Sequence, residues 1–138
     1  MTHVSEAGRP IDHVAVAVHS IEESRGLFEF LSGARCSQPE TLEAHGVRVA
    51  FVGFIELLEP LGPDTNIGRF LERRGQSLHH VAYRTDDIEA ELARLEAAGV
   101  ELIDRVPRPG AGGHRVAFVQ PSATGGVLVE FVERPESR

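Results

Sequence analysis

The sequence predicts an α+β fold in which one βαβββ unit occurs twice. The segment Ile11–Ala15 returns as Leu78–Ala82, so that His13 and His80 are 67 residues apart. Such self-similarity is the sequence sign of a duplicated structural unit. Because a helix covers only one face of each unit's sheet, the two units are expected to form a curved mixed sheet, with the helices on its outer face and a hollow inside.

The ends of the two predicted units match as well as their beginnings. Ile55–Pro60 is echoed by Val129–Pro135, which places Glu56 and Glu130 74 residues apart. With 138 residues the chain is one domain by size. The predicted organisation is a flexible leader (1–10), one domain (11–134) with units at about 11–60 and 78–134 and a connector helix at about 66–74, and a tail (135–138).

The first strand of each unit is predicted to carry a histidine on a lightly built face. His13 alternates with Ala15 on one face of its strand, and His80 alternates with Ala82 in the same way. His79 points to the opposite face and is expected to pack under a helix. Strand parity therefore selects His80, and not His79, as the equivalent of His13.

A capped helix is predicted after each of these strands. Ser20 is suited to cap the first helix, and Gly33 is suited to end it. Asp87 and Gly99 have the same places around the second helix. Both helices carry an apolar stripe, so we expect each to cover one face of its sheet.

Two further strands are predicted after each helix. Glu56 and Glu130 lie on the last strand of their units and are expected to face the hollow. Glu59 and Glu133, an odd number of steps further along, are expected on the solvent face. The strands are predicted at 47–54 and 55–58 in the first unit, and at 116–120 and 126–132 in the second.

Four side chains are therefore expected to meet in the hollow. Two imidazoles with one or two carboxylates suit a first-row divalent ion such as Co, Ni, Zn, Mn or Fe, with positions left open for a substrate that binds through two oxygens. The four candidate ligands are His13, Glu56, His80 and Glu130.

Composition excludes several other classes of function. The formal charge is −7 and the 14 basic residues form no dense cluster, which argues against nucleic acid as a partner. The single cysteine, Cys36, excludes an internal disulfide. No apolar run reaches the roughly 18 residues that a membrane span needs, so a cytoplasmic protein that binds no membrane is expected.

The motifs resemble a known family over nearly the whole domain. Repeated βαβββ units with a strand histidine and a strand glutamate are similar to the vicinal oxygen chelate superfamily, which includes glyoxalase I and extradiol dioxygenases. Within it, the sequence most resembles the methylmalonyl-CoA epimerase family. The segments that carry the resemblance are Ile11–Val14, His45–Phe51, Ile55–Leu61, Leu78–His80, Arg108–Gly113 and Pro121–Glu130.

The resemblance implies a metal-dependent epimerase of methylmalonyl-CoA or a related 2-substituted malonyl thioester. It implies that His13, Glu56, His80 and Glu130 hold a divalent ion, with Co, Ni, Zn, Mn and Mg as candidates. The substrate would lose and regain a proton through an enolate that the ion stabilises. Glu56 and Glu130 are the first candidates for the acid and base. A coenzyme A thioester as partner and a homodimer are also implied.

The chain departs from the family pattern at two places. Val49 stands where some family epimerases carry a carboxylate, which leaves one base unassigned. Glu43 or His45 could replace that carboxylate, Glu56 and Glu130 could act as both ligands and bases, or the activity could differ. The segment 51–55 is shorter than in the family, so Gly53 is expected in a very tight turn or bulge.

A glycine-rich segment of the second unit is a candidate substrate-binding loop. Arg108 and Arg115 flank a run that contains Gly112 and Gly113. Guanidinium groups and freely exposed backbone amides suit a carboxylate or the phosphates of coenzyme A. The same run is equally compatible with a flexible loop. Gly125–Gly126 is expected only to turn the chain between two strands.

Three alternatives use the same fold. A glyoxalase I-like lyase would use the same ligands on a hemithioacetal. A non-enzymatic small-molecule-binding member would have lost the metal ligands, whereas all four candidates are kept here. An extradiol dioxygenase fits less well, because those enzymes use one carboxylate with two histidines and are generally longer.

Overall fold

The computed structural model of the chain describes Glu6 and residues 8–135, so most of the predicted leader and tail lies outside the described residues. Two compact units are present. The first unit is His13–His80, and the second comprises the described residues up to Asp12 together with those from Val81 to Pro135. No helix among the described residues is long and apolar enough to cross a membrane.

The first repeat consists of β1 (Ile11–Ala17), α1 (Ile21–Ser32), β2 (Glu40–Leu42), the 3-10 helix Glu43–His45, β3 (Val47–Val52) and β4 (Ile55–Pro60), and the predicted connector helix α2 (Asn66–Arg74) follows it. Its four strands are neighbours in the sheet, in the order β2-β3-β4-β1. β1 and β4 are parallel, whereas β4–β3 and β3–β2 are antiparallel.

The second repeat consists of β5 (Ser77–Thr85), α3 (Ile88–Ala97), β6 (Arg108–Pro109), β7 (Arg115–Val119) and β8 (Val129–Glu133). Ser77–His80 of β5 belong to the first compact unit. The strands have the order β6-β7-β8-β5, as in the first repeat. β5 and β8 are parallel, and the other two pairs are antiparallel. The prediction of an α+β fold with two βαβββ repeats is confirmed.

The predicted N-terminal helix caps are present in both units, whereas α3 ends at Ala97 with Ala98 as its C-cap, and Gly99 follows one residue later with a φ of 82°. The Ser20 hydroxyl accepts a hydrogen bond from the Glu23 backbone N–H at the start of α1, and the Asp87 carboxylate accepts one from the Ala90 N–H at the start of α3. Gly33 ends α1 in the left-handed region, where a side chain would be strained. Local sequence signals therefore set the beginnings of both helices.

The short segment between β3 and β4 is a two-residue turn. Val52 and Ile55 are the last paired residues, which leaves Gly53 and Phe54 to reverse the chain. Gly53 has a φ of 62°, so the predicted tight turn is confirmed. Glycine is needed here because other residues rarely adopt this backbone conformation.

The last strand begins later than its sequence predicts. The prediction of a strand from Gly126 is wrong, because β8 starts at Val129. A 3-10 turn at Pro121–Thr124 is followed by Gly125 and Gly126 with φ angles of 75° and 115°, which are incompatible with a strand. The prediction that these two glycines turn the chain is confirmed.

Each unit has its own apolar core between its helix and its sheet. The residues that form the first core are Val18, Ile21, Cys36, Ala50, Val52 and Leu57. Those that form the second are Ile88, Leu92, Ala117, Val119 and Phe131. Burial of these faces anchors α1 and α3, so the opposite faces of the strands are left for the functional side chains.

The prediction that Glu59 and Glu133 lie on the solvent face is wrong. Glu59 Oε1 accepts a hydrogen bond of 2.9 Å from the first backbone N–H of α1. Glu133 Oε2 accepts one of 3.1 Å from the first N–H of α3. Both carboxylates are half-buried and satisfy helix N–H groups that have no partner within the helix. The repeat therefore includes a second, non-local cap for each helix.

Candidate metal and catalytic site

Three predicted ligands meet in the first unit. His13 lies on β1, Glu56 on β4 and His80 on β5, and all three side chains are buried. Glu56 is paired with Ala15, which lies on the same face of β1 as His13. The strand parity inferred from the sequence is therefore the parity found in the structure.

The donor atoms of these three residues form a tight triangle. His13 Nε2 is 3.1 Å from Glu56 Oε1 and 3.4 Å from His80 Nε2. His80 Nε2 is 3.7 Å from the same Glu56 oxygen. Phe51, the partner of Glu56 on β3, packs its ring against the His13 imidazole with centroids 5.5 Å apart. One carboxylate oxygen thus faces two imidazole nitrogens beside an apolar ring.

This triangle has the dimensions of a ligand set for one metal ion. Ligand atoms about 2.1 Å from a first-row ion are about 3.0 Å apart at a right angle and about 3.4 Å apart at the tetrahedral angle. The three observed distances lie close to these values. Two imidazoles and a carboxylate are also the donors that such ions prefer. The residues of the first unit therefore fit a divalent ion.

Glu130 occupies the equivalent position in the second unit. It is buried on β8 and is paired with Ala82 in the parallel β5–β8 register, just as Glu56 is paired with Ala15 in the parallel β1–β4 register. The repeat thus extends to the strand partner of each carboxylate. The role of Glu130 as a fourth ligand stays a prediction.

His79 lies on the other side of β5, as parity predicted. Its ring packs edge-on against Phe70 of α2, with centroids 4.8 Å apart, which confirms the expected packing under a helix. Its Nδ1 is also 2.8 Å from Nδ1 of His80. Sequence reasoning missed this contact, although the adjacent pair of histidines was the available signal.

The environment of Val49 shows where a replacement base could come from. Val49 is buried on β3, and its partner on the edge strand β2 is Glu40. Paired residues share a face of the sheet, so Glu40 lies on the face of Val49. Val49 and Phe51 are two residues apart on β3, which places Val49 on the same face as Phe51 and its partner Glu56. Glu40 was missed because the sequence did not predict β2, which is only three residues long.

The two other candidate bases lie in the turn that precedes β3. His45 is half-buried at the end of the 3-10 helix, and Glu43 is exposed at its start. The catalytic role of His45 stays a prediction, as does the suggestion that Glu43 replaces the carboxylate absent at Val49.

The two arginines of the candidate substrate loop are engaged in ion pairs. Arg108 Nε is 3.0 Å from Asp104. Arg115 contacts Glu133 through Nε and Nη2, at 2.9 and 3.1 Å, and Glu89 through Nη1 at 3.0 Å. The hydrogen bonds to Glu133 and Glu89 raise the pKa of Arg115, and those from Arg115 lower the pKa of Glu133 despite partial burial. An anion would have to compete with these carboxylates.

The glycines between these arginines form a turn. Gly112 and Gly113 have φ angles of 66° and 77°, and the Gly113 N–H donates to the Gly110 carbonyl. A short 3-10 helix at Ala111–Gly113 results. The substrate-binding roles of Arg108, Gly112, Gly113 and Arg115 stay predictions.

Similarity to known proteins covers most of the chain. Residues 12–118 match the family model described as Glyoxalase/Bleomycin resistance protein/Dioxygenase superfamily. The mitochondrial methylmalonyl-CoA epimerase of Dictyostelium discoideum is 38% identical, over 90% of this chain and 78% of that protein. The ethylmalonyl-CoA/methylmalonyl-CoA epimerase of Cereibacter sphaeroides is 36% identical, over 88% and 95%.

A solved structure extends the similarity to the fold. A variant of the methylmalonyl-CoA epimerase of Streptomyces coelicolor, in complex with 2-nitronate-propionyl-CoA, is 30% identical to this chain and superposes with a TM-score of 0.87. The match covers 94% of this chain and 99% of that one. Both sequence and structure therefore relate the chain to epimerases of this kind.

Proposed function

Since this chain belongs to the Glyoxalase/Bleomycin resistance protein/Dioxygenase superfamily and is an epimerase-like isomerase within it, we propose that it epimerises methylmalonyl-CoA or a related 2-substituted malonyl thioester. The observation that carries this proposal is the buried triangle of His13, Glu56 and His80. Such a donor set can hold a divalent ion, and the positive charge of that ion suits a reaction in which negative charge develops on two neighbouring substrate oxygens.

The chain's own residues would hold a divalent ion through two imidazoles and one or two carboxylates. His13, Glu56 and His80 supply the donors of the first unit, and Glu130 is proposed as the fourth because of its equivalent place on β8. When bound, Co, Ni, Zn, Mn or Mg would supply positive charge beside the substrate oxygens that become more negative when the α-proton leaves. Metal analysis of the purified protein identifies which of these ions it binds.

Epimerisation requires that a proton leave one face of the substrate carbon and return to the other. Two groups on opposite sides of that carbon are therefore needed. Glu56 and Glu130 are proposed for these roles, because both are buried strand carboxylates and they are equivalent by the repeat. The further candidates are Glu40, which lies opposite Val49 on β2, and His45, at the end of the 3-10 helix before β3.

The substrate is proposed to be a coenzyme A thioester. This is supported by the coenzyme A ligand in the similar Streptomyces coelicolor structure and by the names of the epimerase relatives. Arg108, Gly112 and Gly113 are the proposed contacts for its anionic groups. Arg115 is the weaker candidate, because two carboxylates already bind its guanidinium.

Exchange of the substrate's α-proton with deuterated water tests this function. We expect the metal-loaded protein to introduce deuterium into methylmalonyl-CoA, and the chelator-treated protein and a His13→Ala variant to introduce none. Mass spectrometry of the recovered thioester provides the measurement. Turnover of the methylglyoxal–glutathione adduct without exchange on methylmalonyl-CoA would instead assign a glyoxalase I-like activity.

A further inference from the structure

One hydrogen bond joins the proposed metal ligand His80 to the neighbouring residue of the same strand. His79 Nδ1 and His80 Nδ1 are 2.8 Å apart, and the two rings are nearly perpendicular at 77°. His80 Nε2, at the other end of its ring, faces His13 and Glu56. We propose that His79 is a positioning residue that accepts a hydrogen bond from His80 Nδ1 and thereby keeps His80 Nε2 unprotonated, as binding of an ion through this atom requires.

The proton count of the pair determines which tautomers are compatible with metal binding. A neutral imidazole has one N–H, so one Nδ1 atom donates and the other accepts. Metal binding through His80 Nε2 requires an unprotonated Nε2, which places the proton of His80 on Nδ1. His79 must then accept at Nδ1. The reverse arrangement protonates His80 Nε2 and prevents it from binding an ion.

The His79 ring is fixed from the side of the sheet opposite to the ligands. Phe70 of α2 packs against it edge-on, and the Arg74 guanidinium lies 5.8 Å from the centre of the Phe70 ring. Thr65 caps α2 by accepting a hydrogen bond from the Gly68 N–H. The connector helix is therefore attached, through His79, to a proposed metal ligand, which gives it a role beyond that of a linker.

The residue before the proposed ligand is different in the first repeat. Asp12 stands immediately before His13, as His79 stands before His80, but the Asp12 carboxylate is 2.5 Å from Nε of Arg134. Replacing Asp12 would also break its ion pair with Arg134. An imidazole acceptor is therefore found before the proposed ligand only in the second repeat, where it supports one of the two proposed histidine ligands.

Two substitutions separate the hydrogen bond from the packing of the ring. His79→Phe keeps an aromatic ring against Phe70 but removes the acceptor. His79→Asn loses the ring but places an amide oxygen near the position of Nδ1. We expect His79→Phe to lower the affinity for Co²⁺ or Zn²⁺ about 10- to 100-fold, the range typical of residues that orient a metal ligand, and His79→Asn to stay within about threefold of the wild type.

Competition with a chromophoric chelator measures these affinities on the full chain. Nitrogen-15 NMR of the histidine rings in the Zn²⁺-loaded wild type gives a second measurement, in which His80 is expected to carry its proton on Nδ1. If His79→Phe does not fold, His79→Leu takes its place, and His79→Asn must then bind the ion at least about tenfold more tightly than His79→Leu.

The outcomes separate this inference from the proposed function on which it rests. A wild type that binds no divalent ion overturns both. A wild type that binds the ion, together with a His79→Phe variant of equal affinity, overturns only the role of His79. A proton found on Nε2 of His80 in the loaded protein overturns it as well.

Discussion

The two units secure the start of their helix in the same way but with different strength. In the first unit, Glu59 accepts from the first N–H of α1, and Arg48 approaches its two oxygens only to 3.4 and 3.5 Å. In the second, Glu133 accepts from the first N–H of α3 and is bound by two nitrogens of Arg115 at 2.9 and 3.1 Å. Both copies therefore have an arginine beside the capping glutamate, but the distances between the two side chains are shorter in the second copy.

The residues next to the proposed ligands differ more than the ligands themselves. Asp12 forms an ion pair with Arg134, whereas the equivalent His79 contacts His80. Glu56 and Glu130, in contrast, keep the same strand partners in both units. The proposed ligands are thus the same in the two copies, whereas the residues next to them differ. Matched substitutions in the two copies can therefore show on which copy a function depends.

Loss of a ligand histidine should have the largest effect. We expect His13→Ala and His80→Ala each to reduce affinity for Co²⁺ by at least about 100-fold, beyond the range for residues that only orient ligands. Proton exchange should fall with metal occupancy. Competition titration and metal analysis after dialysis measure the change. A His80→Ala variant with full occupancy would show that the triangle is not a metal site.

Removing the charge of a carboxylate while keeping its shape should separate binding from catalysis. Glu56→Gln and Glu130→Gln both retain an oxygen donor but lose the ability to take up a proton. We expect exchange to fall about 100- to 10,000-fold in the variant that lacks the required base, while metal affinity changes less. Measuring exchange from each epimer separately shows which face each residue serves. Unchanged rates in both variants would assign the bases elsewhere.

The pair Glu40→Gln and Glu43→Gln tests the region around Val49. Glu40 lies opposite Val49 on the proposed catalytic face, whereas Glu43 is exposed in the 3-10 helix. If Glu40 replaces the missing carboxylate, Glu40→Gln should lower exchange by about tenfold or more and Glu43→Gln should leave it unchanged. His45→Gln is the matched variant for the remaining candidate. Equal rates in wild type and Glu40→Gln would remove Glu40 from consideration.

The smallest expected effect is that of the helix-capping ion pairs. Arg115 lowers the pKa of Glu133 in the folded state, so the pair stabilises the fold above the ordinary carboxyl pKa and loses this contribution as the pH falls through the lowered value. We expect Arg115→Gln to move acid unfolding to higher pH, and Arg48→Gln to move it less. Circular dichroism during acid titration measures both.

The same substitution tests whether Arg115 also binds substrate. Because the Arg115 side chain is partly exposed, its contribution to stability is screened by solvent and should be modest. A raised KM for methylmalonyl-CoA, measured at a pH where the variant is fully folded, would support substrate binding. A changed acid transition with an unchanged KM would make Arg115 a structural residue.

Several features could be inferred from the sequence because they depend on near neighbours or on parity. Ser20 and Asp87 cap the helices that follow them directly. His80 and His79 face opposite sides of one strand, so alternation alone selected the buried ligand. The tight turn at Gly53 followed from the shortness of the segment. Each of these inferences needs only a few adjacent residues.

Other features escaped sequence reasoning because partners distant in the chain create them. Glu59 and Glu133 follow the alternation of a solvent-facing strand, yet each reaches the start of a helix about 40 residues earlier in the chain. The strand β2 is too short to give a periodic signal, so Glu40 was not placed beside Val49. Gly126 was predicted to begin a strand, but its φ angle places it in a turn.

The repeat, its helices and the identity of the candidate ligands follow from the sequence, because periodicity and capping are local properties of the chain. The distances among His13, Glu56 and His80 that suit a single ion, and the contact of His79 with His80, follow only from the tertiary structure. Those distances depend on strand register and on packing against α2. Register and packing depend on the burial of apolar side chains throughout the unit, so no short segment of the sequence determines them.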